Sequence, residues 1–534
     1  MLFTITAAAQ MSTGGMIATP DSHATRIAEQ ILQQGGNAVD AGVAAMFALG
    51  VVQPYATGMG GGGLMLIHRP SDQTATLIDF REQALQQIDP KIYYQDETAF
   101  RINTKSGPRS IAVPGMMAGA TTALQLHGSK SLQEVVAPSI QLASNGFSVS
   151  HQLARMVEKY YDHLESNQIT SQTFLPDWLP IEPGETMIRR DLAQTMKLIT
   201  DQGEQAFYRG EIANQIIREL NSHDINIQAA DLRNYKPQLT SALVARYRNY
   251  EILTAPLPAR GGWALLTLLR ILQAKNVGQF PLNSGPYVHI VAEAMRLVYT
   301  EQQRYLNGQV EEILSDEQIA RMASQIDTAG TIALPKEMDS EREPILNGAH
   351  ISVIDRQGNA VSISLSLGSP FGSAVTIARY GILMNNALID FSPQPGTSNS
   401  LQPGRKPLTT LTPTMVLKNG QPFLILGGNG GEQTVSMLAQ IIINVVDFHL
   451  SLDEAIRSPR FHYNSNNHTV EMETRIEASA IEYLKSRGHK INLRTDYDAY
   501  FGNCQAVMLA PAHSQFSAVN DIRQEREVYY HDLD

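Results

Sequence analysis

One cysteine in 534 residues, Cys504, excludes an intrachain disulfide framework and any zinc site built on cysteine thiolates. The surrounding F-G-N-C-Q-A-V reads as a strand, so the thiol is expected to be a buried core group. Long apolar runs are missing too, and no stretch reaches the ~20 residues of a membrane-spanning helix. Positive charge is in deficit. With 41 Lys and Arg against 52 Asp and Glu, the net charge is −11, which argues against nucleic acid or an anionic membrane as the main partner. The first fifteen residues carry no basic segment, and their apolar run is too short for a secretory signal. A cytoplasmic protein is expected, or a periplasmic or secreted one if a native leader has been removed. Nothing in the residue pattern suggests a metal or an organic cofactor.

What is present suffices for a large folded body. The chain is 43% hydrophobic and 17% charged, the balance of a globular protein. Its length suggests two or three domains or one interleaved α/β body. The apolar stripe Ala24, Ile27, Ala28, Ile31 and Leu32 predicts a helix over 20–34, capped by Asp21 or Ser22 and ended by Gly35-Gly36. A second helix, 38–52, is apolar nearly all round and should be buried. The glycine cluster 58–63 permits very close backbone approach. Lacking a following Lys-Ser/Thr and lying between a helix and a strand, it does not read as a nucleotide site.

A strand over 75–80 ends in D-F-R-E, leaving Arg81 at its terminus, where a guanidinium can clamp a carboxylate or simply sit at the surface. His289, Glu293 and Arg296 fall on neighbouring turns of a long amphipathic helix, a pattern that fits a structural polar seam. Residues 327–346 lack periodicity and read as a mobile connector. A hairpin follows, with strands around Ile351–Ile354 and Val361–Ile363 and the reversal D-R-Q-G-N at 355–359. The cluster G-G-N-G-G-E (427–432), between a strand and a helix, is either an anion or oxyanion site or a plain turn.

Ten collinear stretches identify a family. They are G-G-N-A-V-D-A (35–41), G-M-G-G-G-G (58–63), D-F-R-E (79–82), A-V-P-G (112–115), H-I-V-A-E-A-M-R (289–296), the hairpin D-R-Q-G-N-A-V-S, N-N-A-L-I-D-F-S (385–392), P-L-T-T-L-T-P-T (407–414), G-G-N-G-G (427–431) and A-I-R-S-P-R-F-H (455–462). Together they resemble the gamma-glutamyltranspeptidase family of N-terminal-nucleophile hydrolases over essentially the whole chain. The resemblance implies an α/β (α+β) fold, a four-layer αββα sandwich. It also implies a large-subunit-like region, 1–346, and a small-subunit-like region, 347–534. In such proteins a threonine opens the small subunit after self-cleavage, and its hydroxyl then attacks a gamma-glutamyl amide.

Counting back from Asp355, the resemblance puts that threonine at Gly348 and the next one at Ala349, with the family histidine kept as His350. Neither Gly nor Ala carries an atom that can attack a carbonyl, so no catalytic residue is intact by the family route. Ser352 has the wrong register to replace it. By resemblance, Arg81, Thr409 and Thr410 clamp a glutamyl α-carboxylate, Asp390 pairs with the α-amino group, and Gly430 and Gly431 form the oxyanion hole. His350 is either a pocket residue or a packed structural histidine. The expected Asn and Gln on the amino side are Gly368 and Ala387, and the loop from Asp390 to Lys406 is short for a lid. The sequence therefore predicts an uncleaved protein that binds a small carboxylate or gamma-glutamyl-like ligand. A working amidohydrolase, acyltransferase or biosynthetic enzyme with another catalytic group is the alternative. A homo-oligomer or a regulatory partner of an active paralogue is a further one.

Overall fold

A computed structural model describes residues 14–71, 74–223, 225–305, 314–327, 329–332, 347–510 and 515–523. Two six-stranded antiparallel sheets form its centre. The first runs Gly15–Ala18, Ala349–Asp355, Ala360–Ser366, Gly62–Arg69, Thr74–Asp79 and Gln238–Ser241 in spatial order. The second runs Gln515–Asn520, Asn503–Ala510, Gln421–Asn429, Thr414–Lys418, Tyr250–Thr254 and Leu243–Tyr247.

The hairpin explains why the sheets stack. Side chains alternate faces along a strand, so Ile351, Val353, Val361, Ile363 and Leu365 share one side and pack with the helix Ala38–Val52. Alternation of apolar and polar residues often marks a strand with one wet face. Here both faces are buried. On the other side, Ile354 and Ala360 meet Leu253, Met415, Ile425 and Val507 of the second sheet. The polar residues between them are hydrogen-bonded: Ser352 Oγ donates to the Gln505 carbonyl at 3.0 Å and Ser362 Oγ to that of Leu426 at 3.3 Å. That satisfaction lets hydroxyls sit inside a sandwich without a desolvation penalty.

Helices cover both outer faces. Ser22–Gln33, Ala38–Val52 and Met116–His127 pack on the first sheet, and Arg260–Ala274, Gly285–Tyr305 and Glu432–Val446 on the second. The result is the expected four-layer αββα sandwich. Within Ala38–Val52 every residue except Gly50 is buried, and Asn37 with Asp40 forms a reciprocal cap at its start. Asp355 joins this helix to the hairpin. Its carboxylate accepts the Ala38 N–H at 3.0 Å as well as those of Gln357 and Asn359 in the turn.

The two regions 1–346 and 347–534 are not separately packed units. Ala349–Asp355 pairs with Gly15–Ala18, Ala360–Ser366 pairs with Gly62–Arg69, and Tyr250–Thr254 pairs with Thr414–Lys418. Most of the connector, 328 and 333–346, lies outside the described residues, and so does the expectation of its mobility. Its beginning is anchored by the polar seam. His289 meets the Asp327 carbonyl at 2.7 Å and His489 at 2.7 Å, and Glu293 accepts the Ile332 N–H at 2.6 Å. Cys504 is fully buried, and burial pushes its thiol up to about 12, as expected of an inert core group.

Candidate functional site

The family motifs first appear as scaffolding. In the glycine cluster, a Cβ added at Gly60 would lie 2.1 Å from the Leu383 carbonyl, and one at Gly63 would lie 2.3 Å from that of Ser364. These glycines let main chains cross where any side chain would collide. Asn385 then ties the crossing together. Its amide donates to the Gly60 carbonyl at 2.7 Å and to that of Ala112 at 2.9 Å, and it accepts the Ala112 N–H at 3.0 Å. The motifs at 58–63, 112–115 and 385–392 thus meet at one buried amide.

Beside this crossing lies a cavity of about 130 Å³. Arg81, Asp390, Thr409, Thr410, Gly430 and Gly431, the residues expected from the sequence, all line it. Glu82, Arg260, Asn347, Ser366, Asn399, Asn429 and Thr434 join them. Glu82 sits inside the D-F-R-E stretch singled out in the sequence, and Arg260 lies in P-L-P-A-R-G-G (256–262). What singles them out is burial and pairing, which the sequence does not show.

Arg81 is a wall residue with prior commitments. Its Nε donates to Asp79 at 3.1 Å, a terminal nitrogen donates to Asp79 at 2.7 Å, and the other donates to the Pro407 carbonyl at 2.5 Å. Lys406 joins from the loop that precedes Thr414–Lys418, with Nζ 3.2 Å from Asp79. Burial alone would raise the Asp79 carboxyl, but the two cations outweigh it and hold it down at about 2. Glu82 has no such pairing. Burial, helped by the nearby Asp390 charge, pushes its carboxyl up to about 8, and its Oε1 is buried without a hydrogen-bond partner. Because this folded-state value lies above the ordinary 4.5, the contribution of Glu82 to stability is full in acid and is lost as pH rises through about 8. Glu82→Gln is therefore expected to leave the urea midpoint nearly unchanged at pH 5. At pH 9 it should raise stability by on the order of a few kcal/mol.

The position expected to carry the nucleophile is pinned on both sides. Asn347 donates to the Gly368 carbonyl at 3.0 Å, Asn429 donates to the Gly348 carbonyl at 2.8 Å, and Ala349 pairs with Leu365 in the first sheet. Gly348 has φ +117°, and a Cβ there would lie 2.6 Å from the Leu365 carbonyl oxygen. His350 is packed behind the cavity wall rather than on it. Its ring nitrogens meet Ser364 at 3.0 Å and Ser352 at 3.1 Å, the ring lies against Gly427, and burial drives its pKa down to about 3. Of the two roles open to it from the sequence, the structure shows the packed one.

At Gly368, where the family pattern leads one to expect an asparagine, another residue fills the room. A Cβ at 368 would fall 2.2 Å from the Asn386 amide oxygen, which accepts the Ser369 N–H at 2.7 Å. Among the described residues, no group of three or more His, Cys, Asp or Glu could hold a metal ion, and no helix is long and apolar enough to cross a membrane.

Comparison with known proteins agrees with this architecture. A family model for gamma-glutamyltranspeptidase matches residues 24–531. The glutathione hydrolase proenzyme of Bacillus subtilis (strain 168) is 30% identical, over 95% of this chain and 90% of its own length. That of Escherichia coli (strain K12) is 31% identical, over 94% and 90%. Among solved structures, cephalosporin acylase from Bacillus halodurans has a TM-score of 0.84 at 25% identity, covering 96% of this chain and 94% of its own. With the family match running nearly end to end and the sandwich shared with the acylase, this chain belongs to the gamma-glutamyltranspeptidase family and has its N-terminal-nucleophile hydrolase fold.

Proposed function

We propose that this family member stays a single uncleaved chain, lacks the usual gamma-glutamyl transfer and hydrolysis, and binds a small carboxylate, an amino acid or a gamma-glutamyl-like compound in the cavity. The observation that carries this reading is Gly348, a residue without a side chain where the family places its attacking threonine. Attack on a carbonyl needs a lone pair on an oxygen, sulfur or nitrogen. Where such a nucleophile has been removed from another hydrolase, turnover falls roughly a millionfold.

Among the described residues, Ser352, Thr409 and His350 are each engaged elsewhere. Ser352 is fully buried and spends its hydroxyl on the Gln505 carbonyl. Thr409 Oγ1 accepts the Leu411 N–H at 3.1 Å. His350, held in its neutral form between two serines, serves no hydroxyl of the cavity. Recognition is the function left. By the family pattern, Arg81, Thr409 and Thr410 mark the carboxylate side of the cavity and Asp390 the amino side, with Gly430 and Gly431 at the start of the helix Glu432–Val446. Losing the Asn and Gln partners at 368 and 387 removes charge-assisted hydrogen bonds of roughly 1.5–3 kcal/mol each, so binding should be weak.

Titration calorimetry with glutamate, glutathione and short gamma-glutamyl peptides, run beside a gamma-glutamyl anilide assay, tests the reading. Saturable weak binding without turnover is expected. Anilide turnover that survives contaminant controls and disappears in Arg81→Ala would overturn it in favour of a working enzyme.

A further inference from the structure

The cavity wall carries two guanidinium groups, and they are not equally available. Arg81 has a side chain only 3% exposed, and three of its donors are already given to Asp79 and the Pro407 carbonyl. Arg260 is 26% exposed, and its guanidinium meets one partner among the described residues, Glu432, at 3.8 Å. That separation is too long for a hydrogen bond. A half-buried ion pair of this length, still reached by solvent, is weak, so a ligand carboxylate can displace it.

The backbone fixes where Arg260 stands. Its N–H donates to the Thr409 carbonyl at 2.9 Å. A Cβ at Gly261 would lie 2.1 Å from Thr412 Oγ1, and one at Gly262 would lie 2.1 Å from the Ala255 carbonyl. The first turn of Arg260–Ala274 therefore rests directly on the segment bearing Thr409 and Thr410. A rigid stem with an uncommitted head is the arrangement a recognition residue needs. A second feature of the same wall also points to a ligand, because Glu82 buries an Oε1 that nothing in the protein satisfies. Unpaired buried polar atoms in a cavity are ordinarily met by what binds there.

We infer that Arg260 takes the carboxylate of the bound ligand, exchanging its loose ion pair with Glu432 for a bidentate one, while Arg81 remains a structural cation of the wall. The inference rests on the proposed binding function and specifies its recognising residue. Arg260 presents a planar fork suited to a carboxylate. Glu432, 31% exposed at the head of its helix, acts as the internal competitor.

L-glutamine and its α-amide, which differ by the α-carboxylate charge, are the probes for titration against the full chain. The wild-type protein is expected to prefer L-glutamine. Arg260→Ala should weaken L-glutamine roughly ten- to hundredfold, down to the level of the α-amide, while leaving α-amide affinity and the urea midpoint in place. Arg260→Lys should fall between, because the ammonium keeps the charge and loses the fork. Glu432→Gln should strengthen L-glutamine binding. An Arg260→Ala variant that keeps the wild-type preference for L-glutamine overturns the assignment and leaves the binding function standing. A wild-type protein that binds neither probe removes the binding function and the assignment together.

Discussion

Gly348→Thr is expected to lower stability by roughly 2–4 kcal/mol and not to produce a self-cleaving enzyme. The cost has two sources. At φ +117° the residue sits in backbone space that side chains rarely adopt, and a Cβ would press to 2.6 Å from the Leu365 carbonyl. Leu365 cannot give way easily, since it pairs with Gly63 on one side and Ala349 on the other. There is also a geometric reason why glycine suits a joined chain. The φ angle of residue 348 spans its bond to Asn347, and it constrains the residue only while that bond exists. A threonine freed at a chain terminus has no such angle to satisfy. Glycine is thus the residue compatible with an intact link held between Asn347, pinned to Gly368, and Ala349, pinned in the sheet. Urea unfolding of the variant should show the lower midpoint, and a denaturing gel should show no fragments. Adding Ala349→Thr should still not restore gamma-glutamyl anilide turnover to the level of active relatives, because Gly368 and Ala387 remain.

Asp79→Ala should cost more, roughly 3–5 kcal/mol. The carboxylate stands between Arg81 and Lys406, all three nearly inaccessible. Its removal strands two buried cations facing each other. Burial already depresses the Lys406 pKa, with the neighbouring Arg81 charge adding to the depression and Asp79 opposing it, so this lysine should respond by losing its proton. In the wild-type protein the stabilisation is present above the ordinary carboxyl value of 3.8 and is lost as pH falls through about 2. The variant should therefore show its largest deficit at neutral pH and a smaller one in strong acid. Adding Arg81→Met to Asp79→Ala should recover part of the loss, since one stranded charge is then removed. Strict additivity of the two changes would contradict this account of the network.

Local elements were readable wherever the residues settle their own environment. The nearly all-apolar stretch 38–52 had to be a buried helix, and D-R-Q-G-N had to reverse the chain, with Asp355 bonding the turn amides as expected of that residue. Membership of the family, and with it the four layers, was legible from collinear motifs. The state of each site residue was not. Arg81 could be placed at a strand end, but its engagement depends on Pro407 and Lys406, more than three hundred residues away in sequence. His350 could have faced either way, because whether a polar residue on a strand sees solvent, a cavity or a second sheet depends on what packs over it. Arg260 carries no signal in the sequence, because its place depends on the start of its helix resting on Thr409, far off in the sequence. The interleaving of residues before and after 347 through both sheets was not legible, because it follows from pairings between strands distant in the chain.

The central claim is that residue 348 neither cleaves the chain nor opens a new terminus. Intact mass spectrometry of the purified full-length protein, after prolonged incubation at neutral pH, tests it most directly. A single species at the full-chain mass of 58.7 kDa is the predicted result. Two fragments, one ending at Asn347 and the other beginning at Gly348, would contradict it.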